Sequence, residues 1–303
     1  TMKNYFFSLL LICLWVSGSN AQSTSKLWYA KPAEHFEESL VLGNGKLGAT
    51  VFGGVHSDKI FLNDATLWSG GPVNANMSPE AYKNLPAIRE ALKNENYKLA
   101  DELNRKLQGT FSQSFAPLGN LFIHNKVEGE STNYYRELNL ENATITTRYE
   151  QNGINYSREY LVSAPDQVFI IKMSSNKKGA LSFVLNFTSL LKNKVTHTDN
   201  SLHINGYAPY HAEPSYRRAE NPVRFDENQG TRFTATAKIK YTDGKMIATD
   251  TTIGLSGATE ATIYVTIATS FNGFDKNPVT QGLDNKALAA EKLKKAFTKT
   301  YTQ

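Results

Sequence analysis

One cysteine, Cys13, is present in 303 residues, and it falls within the first 21. A chain so poor in thiols has no disulfide framework, no thiolate nucleophile and no zinc–thiolate site. Long apolar runs are missing too. The longest, Tyr5–Val16, holds about a dozen residues, well short of the roughly 20 that cross a bilayer as a helix. Neither sign of charge dominates, with 33 Lys and Arg against 28 Asp and Glu. The basic residues are scattered, so no stripe suits a nucleic acid or a membrane surface. His35, His56, His124, His197, His203 and His211 form no i, i+4 pair and match no ligand spacing, and neither a metal nor another cofactor is expected.

What the start of the chain does have is the pattern of an export leader. Lys3 precedes the apolar run, and Ser17-Gly18-Ser19-Asn20-Ala21 ends in the small-x-small pattern of a signal-peptidase site. Residues 1–21 are therefore expected to be a signal peptide cleaved before Gln22, and the protein to be secreted or periplasmic. Lipidation at Cys13 is disfavoured by Ile12, which stands where a small residue is required. Removing Lys3 lowers the formal net charge from +5 to +4, and removing Cys13 leaves stability to a hydrophobic core.

The densest motif lies at Leu40–Pro72, LVLGNGKLGATVFGGVHSDKIFLNDATLWSGGP. Gly43, Gly45 and Gly48 spell G-x-G-x-x-G, which in a dinucleotide site opens a helix. Here Ala49-Thr50-Val51-Phe52 and then Gly53-Gly54 follow, material for a strand and another turn rather than a helix. Gly43, Asn44, Gly45 and Gly48 are accordingly read as a tight strand–turn–strand corner.

Lys59–Asn63 alternates as a strand and leads into a loop over 64–79. Pro86, Ile88, Leu92, Leu99, Leu103 and Leu107, with Gly109 as a stop, predict one helical insertion near 80–108. From Phe115 the period becomes two, in runs such as Ala143–Glu150, Ile154–Ser163, Val168–Ser174, Leu181–Thr188, Leu202–Asn205, Arg232–Tyr241, Met246–Leu255 and Ala261–Thr269. Asn152-Gly153 and Asp243-Gly244 are hairpin signals. Asn285–Tyr301 returns to helical chemistry. These runs predict a mainly β protein built as a large antiparallel sandwich.

Several motifs occur in a family-like order: Trp28…Lys31-Pro32-Ala33, then LGNGKLGATVFGG, LNDATLWSGGP, Phe115–Leu121, Tyr156–Glu159, Ser163–Val168, Gly206–Phe225 and Ile267–Phe271. Together they resemble the N-terminal domain of glycoside hydrolase family 95, the inverting α-L-fucosidases, over residues 27–275. Asn120 and Asp64-Ala65 depart from the family's common Asp and Glu-Asp. The resemblance implies a galactose-mutarotase-like super-sandwich at 22–280 and the start of a linker helix at 281–303. It also implies a catalytic (α/α)6 barrel beyond this chain, on which the sandwich packs and through which an oligosaccharide is hydrolysed. No catalytic residue is carried over, because the family's acid and base belong to that barrel.

Two loops are candidates for a cleft rim or an interdomain contact. In the first, Trp68 is followed by Ser69-Gly70-Gly71-Pro72, and Asn63 or Asp64 stands within reach of a sugar hydroxyl. The second, Gly206–Phe225, holds Tyr207, Tyr210, His211, Tyr216, Arg217 and Arg218 among prolines. Aromatic faces stack on pyranoses, Arg and His donate to hydroxyls, and prolines reduce the entropy lost on binding. Plain covering of the sandwich remains the alternative. Glu37, Glu38, Asp226 and Glu227 show no convergent pairing. The sequons at Asn76, Asn142, Asn155 and Asn186 bear on glycosylation in a eukaryotic secretory host alone. Two other functions are weighed: a stand-alone carbohydrate-binding sandwich with the 206–225 loop as its aromatic platform, and the N-terminal domain of an inverting disaccharide phosphorylase.

Overall fold

The computed structural model describes residues 25–74, 76–109 and 111–301. The expected leader, its cleavage before Gln22 and Cys13 lie outside the described residues. Two antiparallel sheets face each other. The smaller has seven strands: β2 (Leu40–Gly43), β3 (Leu47–Val51), β4 (Ser57–Asp64), β5 (Gly119–Asn125), β10 (Leu181–Thr188), β16 (Lys245–Thr249) and β17 (Thr252–Ala258). They run in the order β16-β17-β10-β5-β4-β3-β2.

The larger sheet has nine strands: β1 (Lys26–Tyr29), β6 (Ser131–Asn139), β7 (Thr144–Gln151), β8 (Ile154–Ser163), β9 (Val168–Ser175), β11 (Lys192–Thr198), β12 (Ser201–Tyr207), β15 (Arg232–Tyr241) and β18 (Glu260–Thr269). Their order is β1-β6-β7-β8-β9-β18-β15-β12-β11. A two-residue flap pairs β13 (His211–Ala212) with β14 (Val223–Arg224).

Alternation buries one face of each strand. Ile60, Leu62, Leu121, Ile123, Phe183 and Leu185 from the seven-stranded sheet meet Ile145, Tyr160, Phe169, Ile171, Phe233 and Ile263 from the nine-stranded one. The central strands β9 and β18 are buried on both faces. Their outer residues Val168, Ile170 and Tyr264 pack under Leu293 and Ala296 of α3 (Asn285–Phe297). Asp284 caps that helix by accepting from the amides of Lys286 and Ala287. Thr266 Oγ1 donates to Ala289 O (3.0 Å) and Lys292 Nζ to Ile267 O (3.0 Å).

At the expected corner, Asn44 Oδ1 accepts from the amides of Lys46 (3.0 Å) and Leu47 (2.8 Å). Gly45 carries the positive φ, +86°, that the turn requires. Strand β3 follows, so nothing here presents a helix N-terminus to a phosphate. Asn152-Gly153 turns a hairpin with both residues at positive φ, 54° and 71°.

Three expectations differ from the structure. Asp243-Gly244 is not a hairpin: it carries the chain from β15 in one sheet to β16 in the other, and Asp243 is held by the Thr259 amide (2.8 Å). Met246–Leu255 is two strands, turned at Asp250-Thr251. The single helix expected through Leu107 breaks into α1 (Leu85–Lys93) and α2 (Tyr97–Asn104). Glu95 adopts φ +55° at the break, and Asn96 caps α2 by accepting from Leu99 N. Pro86 does sit in the first turn of α1. Ile88 is buried, whereas Leu92 and Leu99 remain 48% and 41% exposed. No helix among the described residues is long and apolar enough to cross a membrane.

A buried polar clamp joins the sheets. Asp58 on β4 accepts through Oδ1 from Gly53 N (2.8 Å) and Gly54 N (3.2 Å), and through Oδ2 from the Tyr160 hydroxyl on β8. Arg158, also on β8, donates to Gly54 O (2.6 Å) and Val55 O (3.1 Å) and stands 3.5 Å from Asp58 Oδ2. Burial pushes the Asp58 carboxyl up and the Arg158 guanidinium opposes that shift. Replacing Arg158 by Met strands Asp58 as an unpaired buried carboxylate. The expected loss is about 3–5 kcal/mol, read from the urea midpoint, and the double variant Asp58→Leu/Arg158→Met is expected to lose less.

Candidate functional site

A cleft of about 770 Å³ opens where loops from both sheets meet. Its walls come from the segment after β4 (Trp68, Gly70 to Asn74, Met77), the segment before β5 (Phe111, Gln113), Tyr210 and the segment after β18 (Phe271, Phe274). Trp68 is 44% exposed. Its Nε1 donates to Ala65 O (2.9 Å), and its ring meets Phe115 edge to face at 5.9 Å. Phe271 and Phe274 are likewise exposed, at 41% and 63%. An apolar rim of that kind is costly to leave in water unless it covers something.

Gln113 ties the two candidate loops together. Its Oε1 accepts from Ser69 Oγ (3.0 Å) and from the Ala212 amide (3.1 Å). Its Nε2 lies 3.3 Å from His211 Nδ1. Because that side-chain amide donates, Nδ1 accepts, and His211 Nε2–H donates to Glu213 Oε1 (2.9 Å). This hydrogen bond holds the Glu213 carboxyl below the usual carboxylate range, with Arg217 adding to it. Arg217 lies 3.6 Å from Glu213 Oε2 and caps the Phe111 ring at 5.0 Å. Phe111 in turn meets the His211 ring at 5.6 Å. Gly70, at φ +102°, passes so close to Gln113 that a Cβ would sit 2.7 Å from its Cγ.

The structure thus brings Trp68 and Tyr210 to one cleft and sets His211 and Arg217 just behind it. The other expected residues are placed elsewhere. Tyr207 faces a separate groove beside Phe225. Tyr216 is 78% exposed and does not line the cleft. Asp64 is turned inward at 1% exposure, where Oδ1 accepts from Thr66 N (2.9 Å) and Thr66 Oγ1 (2.6 Å). Of that pair, Asn63 alone keeps partial exposure. Phe111, Gln113 and Phe274 escape a sequence reading, because nothing local marks residues that converge only through the fold, whereas Phe271 closes the Ile267–Phe271 motif. The signals nearest to them were Phe115-Ala116-Pro117, just after Gln113, and Ile267–Phe271, just before Phe274.

No Asp or Glu lines the cleft among the described residues, whereas inverting hydrolysis needs an acid and a base roughly 6.5–9.5 Å apart. Glu38 accepts from the Glu34 amide (2.8 Å) and Asp226 from the Asn228 amide (2.9 Å), so each serves its own turn. No group of three or more His, Cys, Asp or Glu among the described residues is placed to hold a metal.

The family model for the glycosyl hydrolase family 65 N-terminal domain matches residues 27–273. This chain belongs to that family of N-terminal domains. The family named is 65 rather than the 95 that the motifs resemble. Alpha-L-fucosidase 2 of Arabidopsis thaliana is 28% identical over 285 residues, which cover 89% of this chain and 33% of that protein. "Probable alpha-fucosidase A" of Aspergillus oryzae is 31% identical over 163 residues, 52% of this chain and 22% of the relative. Among solved structures, a candidate kojibiose phosphorylase from the human microbiome superposes with a TM-score of 0.52 at 14% identity, covering 92% of this chain and 36% of that one. That likeness shows the fold, a mainly antiparallel β-sandwich. The chain spans about a third of the length of the Arabidopsis relative.

Two outcomes test the wiring of the cleft. Gln113→Ala removes both acceptor bonds and is expected to cost about 1–3 kcal/mol, with faster hydrogen exchange at the Gly70 and Ala212 amides. Glu213, whose carboxyl is lowered from 4.5, stabilises the flap above that pH, and the contribution is lost as pH falls through its lowered folded value. Exchange protection of the Glu213 amide, which donates to Pro222 O (2.8 Å), is therefore expected to fall in acid.

Proposed function

We propose that this chain is the N-terminal sandwich of an exported α-L-fucosidase-type hydrolase of family 95. In this reading its cleft forms part of the wall of an active site completed by a helical barrel downstream. The observation that carries it is the exposed aromatic rim of Trp68, Phe271 and Phe274 around a cleft without its own carboxylate pair. Such a surface suits an interdomain contact or the apolar face of a sugar better than autonomous hydrolysis. Two alpha-fucosidase relatives that extend far beyond the matched region support the substrate class. Export rests on the leader-like residues 1–21.

A second reading, the N-terminal domain of a disaccharide phosphorylase, draws on the family 65 description and the kojibiose phosphorylase fold. Release of fucose from 2′-fucosyllactose separates the two. The 303-residue chain is expected to be inactive, the chain extended through its downstream sequence to be active without phosphate, and a strict phosphate requirement would favour the phosphorylase. In the extended protein, Trp68→Ala is expected to lower kcat/KM by about tenfold or to lower the thermal midpoint. No change in either would sink both the rim and the interdomain role.

A further inference from the structure

Two aromatic rings distant in sequence stand side by side on the outer face of the nine-stranded sheet. Trp28, on edge strand β1, is 61% exposed. Its ring lies 6.1 Å from that of Tyr135 on β6, with the planes 22° apart. Glu137 pairs with Trp28 across the strands and fixes the setting: its carboxylate accepts from the Tyr135 hydroxyl and from Lys26 Nζ (3.1 Å). From Tyr135 a register row continues through Arg148, Ser157 and Ser174 on β7, β8 and β9. The short serines beyond the raised rings leave a trough of about 510 Å³, flanked by Asn155 and Asn176. A bulge in β6 between Thr132 and Tyr135 puts Asn133 at φ +52° and turns its amide to Glu150 (3.0 Å) at the edge of the trough. Arg148 is exposed, and its guanidinium makes no hydrogen bond among the described residues.

The chemistry of this patch narrows its partner. Stacked rings with an exposed edge attract the C–H face of a pyranose, while an exposed guanidinium, serine hydroxyls and side-chain amides match its hydroxyl edge. Glu137 and Glu150 flank the rings, which disfavours a polyanion such as nucleic acid. The polar floor disfavours an apolar protein face. The patch is also separate from the cleft. Three strands, β7, β8 and β9, lie between β6 and β18, whose end leads to Phe271, a separation of roughly 19 Å across the sheet.

We propose that Trp28, Tyr135 and Arg148, with the serine trough, form a glycan-binding surface that takes a neutral pyranose chain independently of the cleft. The test is a titration of the full 303-residue chain with cellohexaose and with 2′-fucosyllactose, followed by the indole N–H cross-peaks of Trp28 and Trp68 and by calorimetry. The Trp28 peak is expected to move and saturate with a dissociation constant of about 1 mM. Trp28→Ala should abolish binding at this site, and Arg148→Ala should weaken it about tenfold at an unchanged thermal midpoint. The proposal is overturned if the Trp28 peak stays fixed to about 20 mM sugar, if only the Trp68 peak moves, or if affinity survives Trp28→Ala. Movement that follows protein concentration without sugar would also overturn it, by marking self-association.

Discussion

The buried union of Asp58, Tyr160 and Arg158 is the constraint on which the sandwich rests. Hydrophobic contact between two sheets is non-directional and tolerates sliding. A carboxylate and a guanidinium sealed from water tolerate very little, since each must keep its partners. Asp58 gathers the Gly53 and Gly54 amides, and Arg158 gathers the carbonyls of Gly54 and Val55. The glycine corner after β3 is thereby tied to the opposite sheet. Arg136 repeats the device nearby, donating to Lys31 O (2.9 Å) and Glu38 O (2.8 Å), and Tyr134 donates to Gly53 O (2.7 Å). Positive φ at Gly53, +75°, lets the corner come this close, and a Cβ there would meet the Tyr134 hydroxyl at 2.6 Å.

That fixed stacking decides where the loops meet. The segment after β4 belongs to one sheet and the segments after β12 and β18 to the other, yet Gln113 bonds to Ser69 and to Ala212 at once. Backbone bonds add to this: Gly70 N donates to Pro209 O (3.2 Å) and Val73 N to Phe274 O (2.9 Å). The cleft is therefore supported by a rigid frame on several sides.

Much of the fold was legible because burial leaves a periodic trace. Ile154–Ser163, Leu181–Thr188 and Arg232–Tyr241 coincide with strands to the residue, each with one face in the core. Among the strands outside the periodic runs, β1 and β11 are the two edges of the larger sheet, while β5 and β6 lie inside their sheets. The side chains of β1 and β11 stay exposed or half-exposed, so no apolar alternation marks those two edges. Asp243-Gly244 misleads for a related reason: a tight turn reads the same locally whether the next strand returns to its neighbour or crosses to the other sheet.

The site divides along the same line. Sequence alone determined the sandwich class and the corner at Gly45, and it marked the loops around Trp68 and His211 as candidates, because local spacing and residue chemistry carry them. Only the tertiary structure decided that Gln113 joins those loops, that Asp64 turns inward while Tyr207 and Tyr216 stand aside, and that Trp28 meets Tyr135. The physical reason is that convergence in a β-sandwich is set by register and by the stacking of sheets. Residues more than a hundred positions apart become neighbours through strand pairing, and a one-residue change in register would send each to the opposite face.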